Sequence, residues 1–340
     1  MNKTKHTLFK IVCMIVAAVL LLYTLLALLP RPKNYPLDNP MRKDGSVPIL
    51  IAHGGGNGEF PDNTLEAFYN AYDVDPNVMM ETDVSITKDG VVILSHDTSI
   101  DRKSNSTGEI SELNYTDLIA NKVDFGYLNN MEDGKRVGEP IHFVGEDGKE
   151  KYPTDVPYPD GVTPRDERVF LATTLEELLL AFPNNRINVE IKQDGALGKQ
   201  CLYAVLELLE KHNAFNRVVL ASFHDAVYNE FVRMEGTNEV PDGFMFSPST
   251  GGVVSFYLLA TTGLDVFFGD PITVFQIPMD QYGIDLSTAA LVNTAHRHNI
   301  AVHYWTIDDE DDMRWLASIG ADGIMTNYPH RLKAVLDSIK

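Results

Sequence analysis

The chain of 340 residues is long enough for one large domain or two ordinary ones, and its 44 % apolar and 22 % charged residues supply a sizeable core and exclude wholesale disorder. The formal charge is −20, but residues 1–43 hold seven basic residues and one acidic residue, so the remainder carries 21 against 47, a net −26. A body that acidic is repelled by nucleic acid and by anionic headgroups, which excludes nucleic-acid binding as a leading function. Cys13 and Cys201 are the only cysteines and give no disulfide framework, which fits a reducing compartment without excluding an oxidising one.

In chain order, the first feature is Ile11 to Leu29, 19 positions without a charge. At 1.5 Å per residue they span roughly 28 Å, close to the thickness of a bilayer's hydrocarbon. The run ends in Leu-Leu-Pro30-Arg31-Pro32, with no small-x-small cleavage site, and it is apolar all round. The expectation is an uncleaved single-pass anchor over residues 1–30. Basic residues flank it on both sides, so the positive-inside rule leaves the side open; a barrel outside the cytoplasm is the expectation carried forward. Residues 31–48, with a high density of proline, read as a linker.

From residue 49 to 340, short β-rich runs alternate with amphipathic helices, which implies a mainly parallel sheet. Strands are expected at Ile49–Ala52, Met79–Asp83, Val91–Ser95, Ile187–Ile191, Val218–Ala221, Gly243–Phe246, Val266–Phe268, Ala301–Trp305 and Gly323–Met325. Helical patterns lie at Leu65–Tyr72, Thr174–Ala181, Leu197–His212, Ala226–Glu235, Thr288–His298 and Asp309–Ser318. Carried on to Thr87, the second strand is separated from the third by little more than Lys88-Asp89-Gly90, too few residues for a parallel crossover, so these two form an antiparallel hairpin. Eight strands then remain for an α/β fold, a (β/α)₈ TIM barrel. Residues 127–168 lack periodicity and read as a long insertion, which in a barrel enzyme would cover the mouth.

The hairpin also carries chemistry. Glu81 and Asp83 are two apart and share a strand face. A two-residue turn at Asp89-Gly90 pairs Lys88 with Val91 and sets Asp83 opposite His96. A solvated hairpin face would explain the polarity alone, but Glu81 follows the apolar Val78-Met79-Met80 run, and carboxylates ending a buried strand repel one another and need a cation. His53 ends the strand Ile49–Ala52 and precedes three glycines that let backbone approach a ligand. Glu190 and Lys192 share a face of another strand, where an internal ion pair is the alternative; Trp305 ends a further strand, where core packing is the alternative. Carboxylates without thiolates favour a hard cation, Ca²⁺ or Mg²⁺. Two histidines beside it suit proton transfer, with lysine as a phosphate clamp.

These residues lie within Ile51-Ala-His53-Gly-Gly, Pro61-Asp-Asn-Thr-Leu-Glu-Ala-Phe68, Glu81-Thr-Asp83-Val, Thr87-Lys-Asp-Gly90 and Val91-Val-Ile-Leu-Ser-His96-Asp97. The series continues with Asn188-Val-Glu190-Ile-Lys192, Ser222-Phe223, Tyr304-Trp-Thr306 and Gly320-Ala-Asp-Gly-Ile-Met-Thr-Asn-Tyr-Pro329. In order and spacing it resembles the glycerophosphodiester phosphodiesterase family over about residues 49–335. The resemblance implies divalent-cation-dependent hydrolysis of glycerophosphodiesters to sn-glycerol 3-phosphate and an alcohol. It also implies His53 and His96 as acid and base, Glu81, Asp83 and Glu190 as metal ligands, Lys192 as the phosphate contact, and Phe223 and Trp305 against the substrate. Lysophospholipids or other phospholipids are the alternative substrates, and a weakly active binding protein is the alternative from another class. Two departures stand out: Gly54 where the family usually has arginine, and Asp62 where it usually has glutamate. Because both concern groups of opposite charge, the usual arginine and glutamate are expected to interact and to have been altered together.

Overall fold

The computed structural model describes residues 3–241 and 243–339, so positions 1, 2 and 340, at the outer bounds of the expected anchor and barrel, lie outside it. Its centre is a ring of parallel strands: β1 (Ile49–Ala52), β2 (Met79–Ile86), β4 (Ile187–Ile191), β5 (Val218–Ala221), β6 (Met245–Phe246), β7 (Val274–Ile277), β8 (Ala301–Tyr304) and β9 (Gly323–Thr326), in the order β6-β5-β4-β2-β1-β9-β8-β7. Strand β3 (Val92–Leu94) lies antiparallel on β2. Between β6 and β7 the ring is drawn together by Thr273 N–H donating to Phe246 O (3.1 Å) and Ser247 Oγ donating to Gln276 Oε1 (2.8 Å). This is the nearly closed eight-stranded TIM-type barrel expected from the alternating pattern.

Helices α2 (Leu65–Val74), α3 (Leu175–Ala181), α4 (Gly195–Lys211), α5 (Asp225–Gly236), α6 (Thr250–Thr262), α7 (Ala289–Arg297), α8 (Glu310–Ser318) and α9 (Pro329–Ser338) surround the ring, and α1 (Lys3–Leu28) precedes it. Side-chain caps fix several starts: Thr64 accepts from Ala67 N–H, and Thr174 and Glu177 form a reciprocal capping box. Both faces of the strands are buried, hence their continuous apolar runs. Alternation decides which way each residue faces. Leu50, Met80, Val189 and Val302 pack outward against helices, whereas Ile49, Ile51, Met79, Val219, Met245, Val274, Ala301 and Met325 fill the barrel interior.

Four expectations require correction. Val266–Phe268 is not a strand: residues Asp265–Phe267 make a 3₁₀ turn, and the barrel strand is Val274–Ile277. Phe268 is buried among Phe256, Phe275 and His298, so its apolar run reflects loop packing. The β2–β3 register is one residue off the expected one, pairing Val84 with Leu94 and Ser85 with Ile93. Only Gly90 of the turn has positive φ (83°), so Lys88-Asp89-Gly90 is a three-residue loop, and Asp89 is held by Thr87 Oγ1 and Tyr115 N–H. Residues 127–168 do not line the cleft; they flank it, packing on the loops after β1 and β3 through Glu146 N–H to Gly58 O (3.0 Å) and Asn129 N–H to Arg102 O (2.8 Å). They lie beside α2 and β3, where Val156 joins Phe60, Ile93 and Phe170 and Tyr158 packs on Tyr69 (5.2 Å between rings).

The segment 31–48 is no free spacer. Met41 and Tyr35 are buried in the cluster inside the barrel, and the backbone oxygen of Met41 contacts His303 Nε2 at 2.8 Å. Asn39 Nδ2 donates to Thr273 O and Asn299 O, and Arg42 pairs with Asp322. These contacts plug the N-terminal end of the ring. Met41→Ala should therefore cost about 2–5 kcal/mol of unfolding free energy in denaturant titration of the full chain, the penalty of a core cavity; an unchanged midpoint would show that the plug is not part of the fold's core.

Helices α6 and α9 were absent from the sequence expectation. Helix α6, Thr-Gly-Gly-Val-Val-Ser-Phe-Tyr-Leu-Leu-Ala-Thr-Thr, has no polar stripe and so no helical period to detect. From His6 to Leu28 helix α1 is exposed apart from the half-buried Leu26; among the described residues it alone is long and apolar enough to cross a membrane.

Candidate active site

Inner-face alternation builds the site. Continuing each strand's inward positions beyond the apolar layer leads to Glu81 and Asp83 on β2, Asn188 and Glu190 on β4 with Lys192 beyond, Gln276 on β7 and Trp305 after β8. All of them line one cleft at the C-terminal end of the barrel. His53, directly after β1, and His96, two residues after β3, line it too. Because β3 stops at Leu94, His96 reaches the cleft from the loop and not by pairing with Asp83; the observed register puts Ser95 N–H on Asp83 O (2.9 Å).

Glu81, Asp83 and Glu190 each offer an oxygen within 4.8 Å of the others, and the first two are buried. Lys192 Nζ lies 2.8 Å from Glu190 and 3.4 Å from Asp83. Burial, and then repulsion from Asp83, push the Glu81 carboxyl well above its ordinary range; burial likewise raises Glu190. One ammonium therefore faces three crowded acids. The all-oxygen donor set and the uncompensated charge fit a hard divalent cation. Glu81 is aimed by Gly54 N–H (2.9 Å), and Asp83 by Asn63, whose Oδ1 accepts from Asp83 N–H and whose Nδ2 donates to its carboxylate.

The imidazoles are held differently. Asn327 donates through its backbone N–H and its side-chain Nδ2 to Asp308 (2.9 and 2.6 Å), which turns the amide oxygen toward His53 Nδ1 at 2.7 Å. With Nδ1 turned to that oxygen, Nε2 lies 4.0 Å from Glu81. His96 Nδ1 contacts Asp97 at 2.8 Å, and Arg102 clamps Asp97 through both carboxylate oxygens. The Asp97 hydrogen bond raises the His96 pKa despite burial, with Asp83 adding to the rise. Asn63, Asp97 and Asn327 sat inside the sequence motifs without an assigned role; Asp308 and Arg102 carried no local signal, because their partners are fixed only by folding.

A family model described as the glycerophosphoryl diester phosphodiesterase family matches residues 53–331. The chain belongs to that family. The human protein named lysophospholipase D GDPD1 is 27 % identical over 329 residues, covering 89 % of this chain and 91 % of its own. The Mycobacterium tuberculosis protein named probable glycerophosphodiester phosphodiesterase 2 is 26 % identical, covering 85 % and 90 %. Among solved structures, a putative glycerophosphoryl diester phosphodiesterase from Silicibacter pomeroyi superposes with a TM-score of 0.60 at 22 % identity, covering 88 % and 96 %. An Oleispira antarctica phosphodiesterase, solved with sn-glycerol-3-phosphate, gives 0.58 at 19 %, covering 86 % and 97 %. The barrel thus belongs to a phosphoric diester hydrolase.

Positions 54 and 62, which depart from the family's usual arginine and glutamate, are neighbours: a Cβ built on Gly54 would lie 2.9 Å from that of Asp62. Gly54 has φ +55°, so a side chain there would carry backbone strain as well as crowding. Asp62 instead pairs with Lys103, and Asn63 Nδ2 also reaches it at 3.2 Å. Phe223, 60 % exposed, meets Trp305 edge-on at 6.1 Å to form an aromatic rim. Two buried polar atoms at the cleft, Asn188 Oδ1 and Gln276 Nε2, have no hydrogen-bond partner among the described residues, which marks them as contacts for a polar ligand.

Proposed function

We propose that this hydrolase cleaves glycerophosphodiesters to sn-glycerol 3-phosphate and an alcohol, with Glu81, Asp83 and Glu190 holding a Ca²⁺ or Mg²⁺ ion. The observation that carries the reading is the meeting of three acids, Lys192 and two differently wired imidazoles in one cleft. The cation would supply charge stabilisation for the phosphate and its attacking oxygen. Lys192 neutralises a phosphoryl oxygen. His53, with Nδ1–H tied to Asn327, takes a proton at Nε2 as general base; His96, kept protonated by Asp97, gives one to the departing alcohol. Phe223 and Trp305 flank the substrate. A second reading, cleavage on the headgroup side of a lysophospholipid, is supported by the relatives named lysophospholipase D and by the exposed Phe223, which could lie along an acyl chain. Helix α1 is proposed to anchor the enzyme in a membrane.

The test is an assay of the full chain, plug included, against glycerophosphocholine and lysophosphatidylcholine with Ca²⁺, Mg²⁺ or chelator. Absence of turnover of both under every condition overturns the reading; the product distinguishes its two forms.

The wiring of His96 makes a pH prediction. A raised pKa keeps the imidazole charged further into the alkaline range, and the rate falls as pH climbs through it. Asp97→Asn removes the largest cause of that rise. The alkaline limb of kcat/KM should move to lower pH while the acid limb stays; an alkaline limb left in place removes His96 from the acid role.

A further inference from the structure

Helix α6 is an anomaly on a body of net charge −26: residues 250–264 contain no charged side chain. It is apolar on every side, yet Val254 and Leu258, one turn apart on one face, are 53 % and 57 % exposed, and Phe267 in the following turn is 66 % exposed. Two of its threonines bond within the helix: Thr261 Oγ1 donates to Tyr257 O (2.9 Å) and Thr262 Oγ1 to Leu258 O (2.7 Å). Such a face has little to lose on leaving water.

The same end of α6 is fixed to α1. Tyr23 Oη donates to Thr262 O at 2.9 Å and fills the space where a Cβ on Gly263 would sit. A few residues on, Arg31 donates to the carbonyls of Leu26 and Leu29 at the end of α1 and, through Nε and Nη2, to the buried Asp265 (2.7 and 3.0 Å). Arg297 and His298 complete the pairing of Asp265. The barrel is thus clamped to the helix at two levels and does not hang from a loose tether.

Depth follows from helix geometry. Tyr23 lies five residues before Leu28, the last of α1, so its level is roughly 7.5 Å inside that end along the axis. The interfacial layer of a bilayer is only about 5–8 Å thick on each side. If the apolar run Ile11–Leu29 crosses the hydrocarbon, whatever touches Tyr23 lies several ångströms below the headgroup–acyl boundary, within the roughly 5–10 Å to which an interfacial apolar face is buried.

We infer that the apolar edge formed by Leu258, Phe267 and, one turn further out, Val254 is seated in the interfacial layer of the bilayer crossed by α1, so that the barrel is oriented on the membrane. This rests on α1 being a span, as proposed above. Continuity with α1 names lipid as the occupant, and aromatic Tyr23 and Phe267 suit that layer. Helix α6 runs from Pro248 of the cleft wall to the end that Tyr23 touches, so this seating holds the cleft about one helix length, roughly 20 Å, from the lipid, at the opposite end of the barrel.

The experiment uses the full chain reconstituted in phosphatidylcholine vesicles and labelled with an environment-sensitive thiol fluorophore. Cys201 is fully buried with its thiol pushed up to about 12, so the natural Cys13, exposed on α1, takes the label and reports the span. A second preparation carries Cys13→Ser with Phe267→Cys, and a third carries Cys13→Ser with Leu180→Cys, an exposed site on α3, which leads into β4, three strands round the ring from β7, into which α6 leads. Lipids brominated near the headgroup should quench the label at position 267 about twofold, the interfacial depth expected of a seated apolar face, and leave that at 180 unchanged. Position 13 should respond to bromines deeper in the chain. Quenching at 13 without quenching at 267 overturns the seating and leaves the span intact. No quenching at 13 overturns the span and the seating with it. A label at 267 shielded from aqueous iodide but untouched by brominated lipid means a second protein covers the edge, and the lipid assignment falls.

Discussion

His96→Ala should lower turnover of a glycerophosphodiester by about 10²–10⁴-fold, equivalent to roughly 3–5 kcal/mol of transition-state stabilisation, and His53→Ala should do the same. Equal losses would not separate the two proposed roles; the different hydrogen-bond partners motivate the assignment, and the leaving group tests it. His96 sits on Asp97 and is biased toward its charged form, as an acid should be. His53 turns Nδ1 to Asn327, which leaves Nε2 for the proposed base. A substrate with an activated nitrophenolate leaving group needs no proton from an acid, so it should largely rescue His96→Ala and leave His53→Ala impaired. Steady-state kinetics on both substrates check this. Rescue of His53→Ala instead would exchange the two assignments, and near-normal turnover of either variant would remove that residue from the chemistry.

Chelation should abolish activity, and Glu81→Gln should raise the cation concentration needed for half-maximal rate by at least about tenfold, since even outer partners of metal ligands are worth 10–100-fold. Folding should respond in the opposite sense. Glu81 is buried beside two other acids, and that burial, followed by repulsion from Asp83, raises its pKa. A neutral amide there relieves repulsion while still accepting from Gly54 N–H, so the metal-free variant should melt no lower than the unaltered chain. Added cation at about a hundred times its Kd should stabilise the unaltered protein by about 2.7 kcal/mol. Thermal melts with and without cation, set beside the activity titration, check both halves. An unchanged cation requirement rejects Glu81 as a ligand; a large loss of metal-free stability marks it as a structural residue.

Much of this was legible in the chain. Strand ends at Ala52 and Ile191, and that at Tyr304 to within one residue, could be read because runs buried on both faces are largely apolar, and Glu81, Asp83 and Lys192 stand out against that pattern. The strand Val274–Ile277 was passed over because inward Gln276 breaks its apolar run, while Phe268 supplied a false one in a buried loop. Helix α6 escaped for the reverse reason: an apolar surface all round has no period.

By itself the sequence determined the alternation of strands and helices, the apolar span at its start, and the polar residues that interrupt each strand where it meets the mouth. These are local properties, written in spacing two and spacing near four. The tertiary structure alone decided the one-residue register of β2 and β3, the plug of residues 34–43, the Asp308–Asn327–His53 chain, and the meeting of Asp62 with Lys103 beside Gly54. Each joins groups whose separation along the chain says nothing of their distance in space, and burial fixes the partner only once the barrel has closed.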